Sequence, residues 1–305
     1  MASLTKQTKI KIAAIVALCL IVVVGLAALT CGGMSFGAYA PQPPAAPSAP
    51  AAPSAHGDVS DAADGSYSFA AGDVDRIAIS WAAGKVSVRV ADVQDVEVRE
   101  YISEGFGSRS VPMSCALHNN TLEINYANNT FGLIGCAINI SQKQLEVLIP
   151  YALQDSLEQI SLDAASGSYE LSGVSVQSLQ VNLASGKFDA QDIAAKEIAF
   201  DVASGTIYAS GDFENVNYGG ASGTATIVCS ESLRQANASL ASGKFILGLP
   251  QDANFTVNLD KVSGGFSITG FDAVQHDDVW VAGDGEVPID IDIMSGDVEI
   301  RQMGK

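Results

Sequence analysis

From residue 156 onward the chain alternates apolar and polar residues with a period of two. A Ser-Gly pair, usually preceded by Ala, punctuates that alternation at nearly constant spacing. The pairs are Ser166-Gly167, Ser185-Gly186, Ser204-Gly205, Ser222-Gly223, Ser242-Gly243, Ser263-Gly264 and Ser295-Gly296. The first five intervals between serines are 19, 19, 18, 20 and 21 residues; the last is 32, which predicts an insertion looping out before Ser295. Positions six, four and two before each Ser are apolar, as are three and five after it. Around Ser185 these are Leu179, Val181, Leu183, Phe188 and Ala190. Lys261 breaks the pattern before Ser263, and Gly220 breaks it before Ser222. Period-two alternation places one face of a strand in the core. Each repeat therefore reads strand, corner, strand, short turn, with Gly often seven after the Ser (Gly173, Gly211, Gly270). The buried parity changes across the corner, which a tight bend accomplishes. Gly supplies a positive φ there, and Ser can bond nearby backbone.

Two architectures satisfy this pattern. In a parallel β-solenoid each repeat of about 19 residues is one coil, and like positions stack at about 4.8 Å. In an antiparallel array each Ser-Gly is the loop of a hairpin. The near-constant period favours the solenoid, because stacked coils need equal circumference. A weaker copy opens the body: Ile77, Ile79 and Trp81, then Ala83-Gly84, then Val86 and Val88. Residues 91–155 are less regular but contain strand-like segments at Leu122–Tyr126 and Leu145–Pro150. The expected fold is all-β: a β-rich N-terminal part or cap over residues 67–155 and a repeat solenoid over 156–305.

The amino-terminal region has a different grammar. Residues 12–29 lack any charge, and Lys6, Lys9 and Lys11 precede them. At 1.5 Å per residue such a helix spans about 27 Å, near the thickness of a bilayer's hydrocarbon core. The lysines predict a cytoplasmic tail over residues 1–11, a transmembrane signal anchor over 12–30 and an extracellular body, so the chain belongs at the cell membrane. Cleavage after Ala38-Tyr39-Ala40 is a competing reading, opposed by Pro41. Lipid modification at Cys31 is a third, poorly served by Thr30. All three export the body. Residues 31–66 form a Pro/Ala-rich linker. Six of the ten prolines lie in 40–57, where polyproline geometry would hold the body some ~50 Å from the membrane.

Charge narrows the partners. Beyond the apolar segment 13 basic residues face 34 acidic ones, a net −21, which repels phosphate backbones and argues against nucleic acid. Of the five cysteines, Cys115 and Cys136 could pair in an exported domain. No catalytic arrangement, dinucleotide fingerprint or phosphate loop stands in the sequence, so neither an enzyme nor a cofactor is expected. A turn serine repeated seven times is geometry rather than a nucleophile. His276-Asp277-Asp278 and Asp284-Gly285-Glu286 offer metal-ligating types. Asp290 and Asp292 fall between the core positions Ile289, Ile291 and Ile293, so they face outward; the sequence leaves Ca²⁺ binding open. Trp81 fits a core slot, and Trp280 is either exposed or packed.

The run Leu148-Ile149-Pro150, an Ile160-containing strand into Ala165-Ser166-Gly167, and the recurring Ala-Ser-Gly strands after it resemble the bacterial putative-adhesin family of β-strand repeat domains of unknown function. The resemblance covers roughly residues 75–305. It implies an envelope protein: a surface binding module or adhesin or, alternatively, an accessory protein of a cell-envelope stress system. The partners expected are membrane lipid through residues 12–30 and a surface ligand or envelope membrane protein.

Overall fold

The computed structural model describes residues 65–102, 112–126 and 143–303. Of the tail, anchor and linker expected over residues 1–66, residues 1–64 lie outside them, as does Cys136, while Ser66 at the linker's end opens the first strand. No helix among the described residues is long and apolar enough to cross a membrane.

The described chain is all-β, with 21 strands joined in one continuous hydrogen-bonded sheet. In chain order they are β1 (Ser66–Phe69), β2 (Arg76–Trp81), β3 (Lys85–Ala91), β4 (Val96–Ile102), β5 (Ser114–His118), β6 (Thr121–Asn125), β7 (Lys143–Pro150), β8 (Leu157–Ala164), β9 (Ser168–Ser172), β10 (Ser175–Leu183) and β11 (Lys187–Val202). There follow β12 (Thr206–Gly220), β13 (Thr224–Cys229), β14 (Gln235–Leu240), β15 (Lys244–Leu249), β16 (Phe255–Lys261), β17 (Gly265–Thr269), β18 (Ala273–His276), β19 (Val279–Ala282), β20 (Val287–Ile293) and β21 (Asp297–Gln302).

Across every Ser-Gly corner the flanking strands pair in parallel with the equivalent strands of a neighbouring repeat, the arrangement expected of a β-solenoid. Leu183 lies between Ala164 and Val202, and Phe188 between Tyr169 and Ile207. Strands before the corner form one column in the order β6, β2, β8, β10, β11, β12, β14, β20, β16. Strands after it form a second: β7, β3, β9, β11, β12, β13, β15, β21, β17. The long strands β11 and β12 bend through the turn and serve both columns. A register shift in β11 between Ala190 and Ile193 passes through Asp192 at φ 56°.

The core is the space between the columns. At Ser166, Ser185, Ser204, Ser242 and Ser295 all five predicted apolar positions are buried. At Ser222 Gly220 is an exception with a cause: the Tyr218 ring occupies the place of its side chain and stacks on Phe245 with centroids 4.8 Å apart. The Ser263 repeat departs because it ends the stack; there Leu259, Phe266 and Ile268 are half-buried and Lys261 is exposed. Each fully buried Leu, Ile or Phe stabilises by about 1.5–3 kcal/mol relative to exposure, so the columns carry most of the fold's stability.

The corner glycines explain why the pair recurs. All adopt positive φ, from 97° at Gly243 and Gly264 to 134° at Gly167. A Cβ on any from Gly167 to Gly296 would come within 3.0 Å of a carbonyl oxygen of the adjacent corner glycine. The residue after each glycine donates its N–H across that gap, as Lys187 does to the Gly167 carbonyl at 2.8 Å and Thr206 to Gly186 at 2.9 Å. The contact is possible only without a side chain. Gly84 joins the same row, so the weak opening copy is a coil of the stack. Serine also bonds across coils rather than locally: Ser166 Oγ donates to the Ala82 carbonyl at 3.3 Å, and Ser263 Oγ to that of Met294 at 2.8 Å.

At both ends the order departs from the chain. β6 and β7 stack outside β2 and β3, although they follow them in sequence. β20 and β21 insert between the coil of β14–β15 and that of β16–β17. Antiparallel strands close the ends: β5 on β6, β4 on β7 with β1 beyond it, and β19 on β16 with β18 beyond it. The expected looped-out insertion before Ser295 is therefore corrected: residues 273–282 form a hairpin that pairs with the stack, because the edge of β16 needs a partner. Residues 66–155 hold three closing strands, β1, β4 and β5, and two coils.

Candidate functional site

The outer faces of the two columns differ. On the second column, acids and bases pair at three places: Lys85 with Glu170 at 2.9 Å, Lys187 with Asp189 at 2.8 Å and Lys244 with Glu299 at 3.2 Å. Such exposed pairs contribute little to stability and neutralise that face. On the first column, the outward positions three and five before each Ser carry only uncharged polar, acidic or small residues from Ser161 to Asp292. Strand alternation puts them there and parallel register stacks them in rows.

Those rows are cross-linked by hydrogen bonds. Asn182 donates to Asp163 at 2.7 Å, Asn237 to Asn217 at 2.9 Å, Asn217 to Glu197 at 3.3 Å and Asn258 to Asp290 at 2.8 Å. Ser239 Oγ donates to Asp292 at 3.4 Å. Where Ala199 and Gly219 replace longer side chains, the face dips into an open hollow of about 210 Å³ between Asp201, Asn217, Asn237 and Ser239. A side chain at Gly219 would strike the Asp201 carboxylate. Burial beside this hollow pushes the Asp201 carboxyl above the usual carboxylate range. The face thus offers amide, hydroxyl and carboxylate groups at fixed spacing and can exchange hydrogen bonds with an extended polar ligand.

The corner residues Ser166, Ser185, Ser204, Ser222, Ser242, Ser263 and Ser295 are brought together as an exposed row beside their glycines Gly167, Gly186, Gly205, Gly223, Gly243, Gly264 and Gly296. Their job in the structure is the bend. Cys115 is a half-buried free thiol on β5, and Cys229 a buried one; burial pushes both thiols up to about 12, which suppresses thiolate chemistry. His276, Asp277 and Asp278 form the exposed turn of the β18–β19 hairpin. Asp290 and Asp292 point outward from β20, as read from the sequence. Among the described residues no group of three or more His, Cys, Asp or Glu side chains could hold a metal. Trp81 is fully buried, and Trp280 is partly buried against Phe266, ring centroids 5.8 Å apart.

Sequence reasoning missed one buried polar centre. Lys143, 2% exposed, meets Glu100, 1% exposed, at 2.7 Å. Its ammonium donates to the Tyr126 carbonyl at 2.7 Å and lies 4.5 Å from the Tyr126 ring centroid. The other Glu100 oxygen accepts the Met113 N–H at 2.9 Å. Burial lowers the Lys143 pKa against the opposing pull of Glu100. The register pairs Lys85 with Gln144, which sets Lys143 beside Gly84 at the last corner. The signal in the sequence was a lone Lys directly before an apolar strand.

None of the curated proteins matches this chain. Solved structures similar to this chain include three from bacteria. A protein from Clostridium sporogenes described as a putative cell adhesion protein is 13% identical, with 78% of this chain and 98% of that chain covered and a TM-score of 0.41. A putative adhesin from Bacteroides fragilis is 10% identical, with 78% and 96% covered and a TM-score of 0.35. A putative lipid binding protein from Parabacteroides distasonis is 16% identical, with 76% and 93% covered and a TM-score of 0.37. Residues 74–301 match the model of the family described as Toastrack DUF4097, and the chain belongs to that family. This agrees with the resemblance read from its Ala-Ser-Gly strands.

Proposed function

We propose that this protein is a non-catalytic binding module, held outside the cell by its amino-terminal anchor, whose outer face on the first column takes up an extended, uncharged, hydroxyl-rich polymer. The observation that carries this reading is the in-register row of amide, hydroxyl and carboxylate groups from Asp163 to Asp292. It runs along the stack axis and dips at Gly219. Side-chain amides and carboxylates both hydrogen-bond hydroxyl groups, and the acidic excess disfavours anionic ligands. A repeated row suits a repeated ligand, because each coil adds the same contact. The apolar segment over residues 12–29 and the Pro-rich stretch after it support tethering and reach.

The test uses the full chain displayed on cells. Retention of neutral polysaccharides is measured for the unmodified chain and for Gly219→Arg, which fills the hollow with a cationic side chain, and Asn217→Lys. At least a tenfold loss of retention, with the same β-sheet circular dichroism, is expected for both. Equal retention by both variants would remove the face from the site, and labelling of the body only in lysed cells would remove the external location.

A further inference from the structure

Around the hollow on the first column the polar side chains already hold one another. Asn217 donates to Glu197 and accepts from Asn237, and Ser239 donates to Asp292. Asp201 is the exception. It stands in the row three before the Ser, between Asn182 and Gly219. Asn182 turns its amide to Asp163 instead, at 2.7 Å, and Gly219 has no side chain to offer. Among the described residues the Asp201 carboxylate accepts no hydrogen bond and joins no ion pair, although it is partly buried. Asp163 and Asp292, in the same row, each accept one. Withdrawing a carboxylate from water without giving it a donor is costly, so the arrangement calls for a donor from outside the chain.

The shape of the hollow sets what that donor is attached to. Its floor is Ala199 and Gly219, whereas the same rows carry Gln180 and Asn182 one coil to one side and Asn237 and Ser239 one coil to the other. A polymer backbone running along the rows rests on those larger side chains and passes above the floor. Only a unit projecting from that backbone enters. Asp201 Oδ1 lies 2.6 Å from where a Gly219 Cβ would stand, so the carboxylate overhangs the floor and meets whatever comes in. A cavity of about 150 Å³ is enough for a benzene ring. The hollow, at about 210 Å³, thus has room for one hydroxylated ring.

On the reading that this face binds a neutral polymer, we infer that the hollow receives a single sugar unit branching from the polymer backbone, with the Asp201 carboxylate accepting a hydrogen bond from one of its hydroxyl groups. The ligand is then a branched neutral polysaccharide, and Asp201 is the residue that selects the branch. A carboxylate-bearing or phosphorylated branch is refused, because like charge would face Asp201 across the hollow. The rest of the row binds the backbone alike whether or not it is branched.

The test uses the full chain displayed on cells and neutral glycans in matched pairs: β-1,4-glucan with and without single xylose branches, β-1,3-glucan with and without single glucose branches, and β-1,4-mannan with and without single galactose branches. The branched member of at least one pair should be retained about tenfold more strongly, the worth of one hydrogen bond to a charged group. Asp201→Ala removes the acceptor. Ala199→Gln fills the hollow with the side chain that Gln180 carries in the same row. Each should bring the branched member down to the level of its unbranched partner and leave the unbranched one unchanged. Equal retention within every pair that binds would overturn the branch and leave the polar face standing. A preference for branches that survives both variants would overturn the assignment to the hollow. Retention of no glycan at all would remove the binding face, and the branch site with it.

Discussion

In the middle of the stack, around Ser185 and Ser204, each coil lies on the one before it in chain order, its five core positions are all buried, and its corner glycine touches the next. At the ends the chain leaves that order: strands are inserted, antiparallel hairpins take over and charged residues enter positions that are apolar or glycine elsewhere. The middle is a one-dimensional lattice in which every repeat solves the same problem. The ends must solve a different one, the protection of a free edge, and each does so with residues that break the repeat: Lys143 and Glu100 at one, Trp280 and the β18–β19 hairpin at the other.

The sharpest way to break this contrast is at the corners. Gly186→Val adds a branched side chain at φ 112° against the Gly167 carbonyl and should cost more than about 4 kcal/mol in urea unfolding. Gly173→Ala, at φ 66° with nothing within 4 Å of its Cβ, should cost about 1 kcal/mol. Near-equal losses would show that close approach of coils is not what demands glycine.

Next comes the buried pair. Glu100→Leu alone leaves an ammonium in an apolar end and should destabilise by about 3–5 kcal/mol. Combining it with Lys143→Met should recover most of that loss, measured by the same denaturant midpoint. An additive double variant would mean that the two residues act separately. Smaller again is the difference between Phe200→Ala, a buried interior ring expected to cost about 3 kcal/mol, and Phe266→Ala at the terminal coil, expected to cost about 1 kcal/mol; thermal melting separates them.

The smallest effect concerns Asp201. Burial raises its carboxyl, so the folded chain holds that proton more tightly than the unfolded chain. The resulting stability is fully present below the ordinary carboxyl value of 3.8 and is lost as pH rises through the raised folded value. Asp201→Asn should therefore gain about 0.5 kcal/mol at neutral pH, with the gain fading on acidification. A constant difference across pH would separate the effect from ionisation.

Much of the middle was legible because its determinants are local. Alternation marked the buried positions, and the invariant step at Ser-Gly marked the bend. The choice between hairpins and stacked coils rested on the constancy of the period, which is a global property and pointed the right way. The insertion of β20 and β21 was not legible: their pattern around Ser295 is as regular as that around Ser185, and nothing local says which neighbours they join. The 32-residue interval showed that something intervened, but pairing across space turned it into a hairpin rather than a loop. Lys143 was missed because a single charged residue beside an apolar strand normally faces solvent, and its partner Glu100 lies 43 residues earlier on another strand. The hydrogen-bonded face was visible only at Asp290 and Asp292; its continuity needed the register.

The placement of β20 and β21 has a consequence for how the molecule is made. As the polypeptide emerges, residues 255–269 are synthesised before residues 287–302, yet the earlier segment cannot seat until the later one supplies the layer beneath it. The last two coils thus cannot be added one at a time. They complete together, and a chain interrupted between residues 269 and 287 would carry a missing rung, with two unsatisfied backbone edges exposed to any quality-control protease.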